Sequence, residues 1–250
     1  MPQYPEKHAS FDAMKAAADR FMESSIEPKY SYNFSWLGRP IIQYPQDILA
    51  LQELIWQLQP DLIIETGIAH GGSLIFSASM LELNAACGGP QDAEVLGVDI
   101  DIRPHNREAI EAHPMFKRIS MIQGSSIAPE IIEQVREKAV GKARVLVCLD
   151  SNHTHEHVLA ELEAYAPLAS KKSYCCVFDT IIEDLPDDMF PNRPWGRGNN
   201  PKTAVREYLR RLKDEGRKAI DGAPFNFEID KSIENKLLIS VAPDGYLRRV

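Results

Sequence analysis

The stretch "DLIIETGIAHGGS", residues 61–73, decides the fold. Leu62–Ile64 is an apolar run short enough for a buried strand. Glu65 follows it, then glycines at 67, 71 and 72, then a new apolar run from Leu74. A strand that ends in an acid and turns through glycines into a helix is how open parallel sheets build ligand sites beyond the carboxyl ends of their strands. Gly67 and Gly71 are read as removing side chains where a ligand must approach, and the helix start as presenting free N–H groups. The bland alternative is that Glu65 and Thr66 cap the helix and the glycines only make a tight turn.

Outward from this turn the chain alternates. Short apolar runs at Val95–Val98, Ile119–Ile122, Val145–Leu149 and Tyr174–Phe178 read as strands. Amphipathic stretches at Gly72–Leu83, Pro104–Ala112, Pro129–Ala139, Glu156–Tyr165 and Lys202–Glu215 read as helices. That order predicts βαβ units, hence an α/β fold with a doubly wound, mostly parallel sheet. Near the C-terminus two alternating apolar runs flank Lys231–Asn235, which predicts an antiparallel hairpin. A parallel sheet finished by an antiparallel pair fits a seven-stranded, Rossmann-like methyltransferase sheet better than a six-stranded dinucleotide one. Upstream, Ser10–Met22 and Pro45–Gln59 read as helices, joined by the aromatic loop "YNFSWLGRPIIQYPQD". The division expected is residues 1–44 as an N-terminal helix and aromatic loop, and 45–250 as the catalytic domain.

Composition narrows the class. Of 250 residues 44% are hydrophobic, ordinary for a globular domain, and the net charge of −8 argues against nucleic acid as a partner. No apolar run approaches the roughly 20 residues of a membrane span. The start, "MPQYPEKHAS", has neither the basic nor the apolar region of a secretory signal. Cys87, Cys148, Cys175 and Cys176 include no C-x-x-C pair, and they read as reduced thiols of a cytoplasmic protein.

The glycine turn is not the dinucleotide fingerprint, since Ile68, Ala69 and His70 follow Gly67, and no G-K-[ST] makes a phosphate loop. Glu65 would repel a pyrophosphate. It suits a ligand with a cationic amino group, such as S-adenosylmethionine (SAM), whose carboxylate Ser73 could bond. Asp99 closes the second strand and is the candidate for the two ribose hydroxyls, ahead of Asp101.

These residues resemble a known family. The E-T-G-x-x-x-G-G-S run looks like the SAM turn of catechol-type O-methyltransferases. "VLGVDIDIRPHNR", "VLVCLDSNHTHEHVLAELEAYAPL" and "FDT" resemble the cephalosporin hydroxylase / rhamnosyl O-methyltransferase family. The resemblance runs from about Trp36 to the C-terminus. It implies a class I methyltransferase fold, SAM as methyl donor, a small hydroxylated substrate and a homo-oligomer. It also implies that Ser125, in the "QGSS" turn, stands where related enzymes contact adenine.

Asp150 and Asp179 end strands four and five, which lie side by side in such a sheet. Two adjacent carboxylates repel unless a cation is shared, and Mg²⁺ accepts such an oxygen pair. Asp150 is thereby also assigned to catalysis and to the cofactor's surroundings. The family places Glu-Asp-Thr at the fifth strand end, where this chain has Phe178-Asp179-Thr180, so one acid is missing. His153, three residues after Asp150, stands at the offset of the lysine base in catechol-type enzymes and can take a hydroxyl proton at neutral pH. His155 and His157 read as surface or packing residues, and Arg206, Arg210, Arg211, Lys213, Arg217 and Lys218 as a solvated helix face. The acceptor pocket is expected among the loops around Trp36 and Trp195. Two other functions remain open at this point: an iron/2-oxoglutarate hydroxylase using Asp150, His153 and His155, and a SAM-fold scaffold without activity.

Overall fold

Every residue of Leu62–Thr66, Val145–Leu149 and Tyr174–Val177 is buried. Strands covered on both faces belong inside a parallel sheet held between two helix layers. The computed structural model describes residues 9–218 and 224–250. In chain order it runs α1 (Ala9–Ile26), β1 (Ser35–Trp36), β2 (Arg39–Pro40), α2 (Pro45–Leu58), β3 (Leu62–Thr66), α3 (Gly72–Ala86), β4 (Glu94–Asp99), α4 (Pro104–Glu111) and β5 (Ile119–Gln123). It continues through α5 (Pro129–Ala139), β6 (Val145–Leu149), α6 (His155–Tyr165), β7 (Tyr174–Val177), α7 (Pro201–Glu215), β8 (Phe227–Ile229), α8 (Lys231–Leu237) and β9 (Tyr246–Arg249).

The seven-stranded sheet has the order β5-β4-β3-β6-β7-β9-β8. Strands β3 to β7 are parallel, and β9 is antiparallel to both β7 and β8. From β3 the chain steps outward to β4 and β5, then returns to β6 on the other side of β3. The order therefore reverses between β3 and β6, and a crevice opens beyond their carboxyl ends, where Thr66 pairs with Leu149. Alternation along the strands divides the core. Ile63 joins the cluster that holds Leu51 and Leu54 of α2 and Leu74 and Ile75 of α3. Leu62 and Ile64 join the opposite cluster, with Val135 of α5, Leu162 of α6 and Tyr208 of α7.

The residues ahead of position 45 pack into the first of these clusters. Met22 of α1, Ile41 and Tyr44 are buried there, and the hydroxyls of Ser25 and Tyr44 are 2.6 Å apart. The first helix is longer than the periodicity suggested, ending at Ile26 rather than Met22. The C-terminal pair is antiparallel as read, but its second strand is Tyr246–Arg249, and Lys231–Leu237 is helical rather than a turn. Asp230 caps that helix by accepting from Ser232 N at 3.0 Å. Ile233 and Leu237, four apart, then fall on one side and pack against the core, which a hairpin would not allow.

Asp47, fully buried in α2, ties this C-terminal segment down. It accepts from Ser240 Oγ at 2.6 Å, Val241 N at 2.9 Å and Tyr246 OH at 2.9 Å. Burial pushes its carboxyl up to about 6, partly offset by those three donors. The folded protein thus holds this proton over a range where the unfolded chain has lost it. Its stabilising share is complete below the ordinary carboxylate range and is lost as pH rises through about 6. We expect the stability difference between the wild type and Asp47→Asn, measured by urea unfolding at pH 4 and pH 8, to change by roughly 3 kcal/mol in the asparagine's favour. A pH-independent difference would refute the assignment.

Candidate active site

The glycine turn holds its shape through contacts within the protein. Gly67 has φ 92° and Gly71 φ 83°. A Cβ on Gly67 would sit 2.0 Å from the carbonyl oxygen of Asp150, and one on Gly71 2.4 Å from the Ile110 side chain. The absent side chains therefore admit the Asp150 loop and α4, a packing demand that the reading from sequence did not include. Asp99 is also engaged locally. Its Oδ2 accepts from Ile68 N at 2.8 Å and Ala69 N at 3.2 Å, and Oδ1 from Asp101 N at 3.0 Å. The turn's carbonyls are held too: Asn106 donates to Ala69 O at 2.9 Å, and Arg39 to His70 O at 2.6 Å.

A cavity of about 490 Å³ opens beside this turn, within the size range of small-molecule sites. Gly67, Ser73, Asp150, His153 and Asp179 all line it. Glu65 lies beneath, lining a small adjoining cavity with Ser73, Asp150 and Phe178. Gly71, Asp99 and Ser125 line neither. Ser73 donates to Glu65, so its hydroxyl is spent on the acid rather than free for a ligand. Burial raises the Glu65 carboxyl to about 7, with the Ser73 hydrogen bond pulling the other way.

The three groups beyond β6 and β7 converge. One ligand-capable atom from each of Asp150, His153 and Asp179 lies within 4.8 Å of the others. His153 Nε2 is 3.2 Å from Asp179 Oδ2. Asp179 holds a left-handed backbone, φ 55° and ψ 21°, a conformation that aspartate tolerates better than branched residues. Burial, and next the charge of Asp179, hold the Asp150 carboxyl well above the usual carboxylate range. A cation shared between the two would relieve that repulsion.

Other side chains settle the remaining candidates. Trp195 packs edge-on against His153, ring centres 4.8 Å apart, and lines the cavity. Trp36 does not line it: it donates to Ser79 Oγ at 2.9 Å and packs on Phe76, although Pro40–Tyr44 of its loop do line the wall. His155 turns to Thr203 Oγ1 at 2.8 Å, so the Asp150–His153–His155 set is not assembled. His157 lies 3.0 Å from Ser126 Oγ, beside Ser151 and the buried Glu161. Arg206, Arg210, Arg211 and Arg217 pair with acids of their own surface. Sequence reasoning missed Gln43, which donates to Asp150 Oδ2 at 3.1 Å. A lone glutamine in an aromatic loop carries no sequence signal of that contact.

The rhamnosyl O-methyltransferase/CmcI family profile matches residues 28–250. The chain belongs to that family. Membership makes it a SAM-dependent O-methyltransferase. A rhamnosyl O-methyltransferase of Mycobacterium leprae is 30% identical over 217 residues, 86% of this chain and 82% of the relative. One from Mycobacterium tuberculosis (strain ATCC 25618 / H37Rv) is 31% identical over 207 residues, 81% of this chain and 73% of the relative. Among solved structures, CmcI with magnesium and SAM superposes with a TM-score of 0.57 at 20% identity, covering 88% of this chain and 77% of that one. The O-methyltransferase of Bacillus cereus in complex with S-adenosylhomocysteine (SAH) superposes with a TM-score of 0.52 at 14% identity, covering 96% and 99%. At these identities the superpositions speak for the fold. In this methyltransferase the glycine turn and the Asp150–His153–Asp179 cluster face one cavity.

Proposed function

We propose that this family member methylates a hydroxyl of a small glycosyl-type substrate, with His153 as general base and a divalent cation between Asp150 and Asp179. The observation that carries the reading is the convergence of Asp150, His153 and Asp179 on the cavity that the glycine turn also lines. SAM, when bound, supplies the methyl group as a sulfonium and leaves as SAH. Gly67 and Ser73 would border its amino-acid end, and Glu65 would supply the negative charge for its ammonium. Asp99 would leave the backbone of Ile68 and Ala69 to reach the ribose hydroxyls. Ser125 is assigned to the adenine end.

The donor set fits a hard cation: two carboxylate oxygens within reach of each other, with the Asp150 carboxyl held up first by burial and then by the charge of Asp179. Mg²⁺ held there would lower the pKa of a substrate hydroxyl. His153 takes the hydroxyl proton. Asp179 beside it fixes the ring and balances the charge that the ring gains. Trp195 shields one side of that ring from water. Tyr32, Phe190 and Trp195 give the wall aromatic faces, on which the apolar faces of a sugar can pack. The cytoplasmic location and the homo-oligomeric state belong to the same reading, and among the described residues no helix is long and apolar enough to cross a membrane.

Calorimetry with SAH, in the absence of metal, tests the cofactor end. An ammonium placed at Glu65 favours its carboxylate. Binding below about pH 7 then expels a proton, and affinity falls by up to tenfold per pH unit below that point. Two buffers of different ionisation heat at pH 6 will read the expelled proton, and Glu65→Gln will suppress it. Binding without proton release in the wild type would remove Glu65 from the cofactor site.

A further inference from the structure

Gln43 is 6% exposed and stands where two cavities meet. It lines the large one with Asp150, His153 and Asp179, and the small one with Asp150, Glu65 and Phe178. Its amide nitrogen donates to Asp150 Oδ2 at 3.1 Å. Its carbonyl oxygen is buried with no hydrogen-bond partner. Buried carbonyls are seldom left so, because the lost hydration is not replaced.

The spacing suggests what this oxygen is for. A half-turn about the last side-chain bond exchanges the amide's oxygen and nitrogen without moving the chain. The oxygen then faces Asp150 Oδ2 across the same 3.1 Å. Two oxygens on adjacent corners of an octahedron with bonds of about 2.1 Å are about 3.0 Å apart. Two bare acceptors at that distance repel, and a cation between them reverses the sign. The rest of the cluster offers two carboxylates and an imidazole, so a third protein oxygen is what a hard cation would still lack there.

We propose that Gln43 is the third oxygen ligand of a divalent cation held by Asp150 and Asp179, and that without the cation its N–H group takes the cation's place against Asp150. The proposal rests on the cation-assisted reading of this site. It gives the cavity wall ahead of α2 a role in the chemistry.

The test is Mn²⁺ titration of the metal-free full chain, followed by the paramagnetic resonance signal of free Mn²⁺. The wild type will bind one equivalent. Gln43→Met will bind at least tenfold more weakly, and Gln43→Glu, which supplies an anionic oxygen, about tenfold more tightly. SAH calorimetry on each variant serves as the control for folding. A residue that only packs would leave Mn²⁺ affinity unchanged on becoming methionine, a side chain of similar size without a hard oxygen. Equal Mn²⁺ affinity in the wild type and Gln43→Met would overturn the assignment. A wild type that binds SAH but no Mn²⁺ would overturn it together with the cation, and leave SAM-dependent transfer standing.

Discussion

Replacing His153 with alanine will lower kcat by about 10²–10⁴-fold, the usual worth of a positioned general base. SAH affinity will stay close to that of the wild type, because His153 lies beyond β6 against Trp195 and Asp179, away from Glu65 and the glycine turn in sequence and in its hydrogen-bond partners. The profile of kcat against pH separates a base from a packing residue. In the wild type the rate will rise with pH along a limb that belongs to the catalytic base. In His153→Ala that limb will disappear, and the residual rate will climb toward high pH as the substrate hydroxyl ionises unaided. An alanine variant with the wild-type profile would show that the proton leaves by another route. Asp179→Asn should reproduce part of the loss, since the amide cannot balance the imidazolium.

The second large effect concerns Gly67. Gly67→Ala would bring a Cβ within 2.0 Å of the Asp150 carbonyl, at a backbone φ of 92° that L-residues avoid. The neighbour is backbone and cannot swing away, so β3 and β6 must part at their carboxyl ends. We expect a loss of about 3 kcal/mol or more in unfolding free energy. SAH binding should fall with it, because Asp150 and Ser151 are displaced. Gly141→Ala is the control. It has φ 78° but nothing within 4 Å of the added Cβ, so it suffers backbone strain alone, about 1–2 kcal/mol. If the two variants melt alike, close packing at Gly67 is not what the position requires.

Much of the site was legible in the chain because local rules place it. Acids at the carboxyl ends of β3, β4 and β6, and one just past β7, could be found by counting along short apolar runs. What those acids bond to was less legible. Asp99 accepts from the backbone of the glycine turn, and Ser73 bonds Glu65. Both contacts join residues of different elements, so no spacing along one segment announces them. The same holds for Gln43 and Trp195, which reach Asp150 and His153 from loops 107 and 42 residues away in sequence.

The sequence by itself determined the alternation of strands and helices, the parallel sheet with its antiparallel end, and the carboxylates offered at the strand tips. Each follows from periodicity and turn chemistry that act within about ten residues. Only the tertiary structure decided that the C-terminal connection is helical, that the glycines make room for Asp150 and Ile110, and that His153 meets Asp179 and Trp195. Those outcomes turn on close packing between elements far apart in the chain. Packing is fixed by shape in three dimensions, which a one-dimensional pattern does not carry.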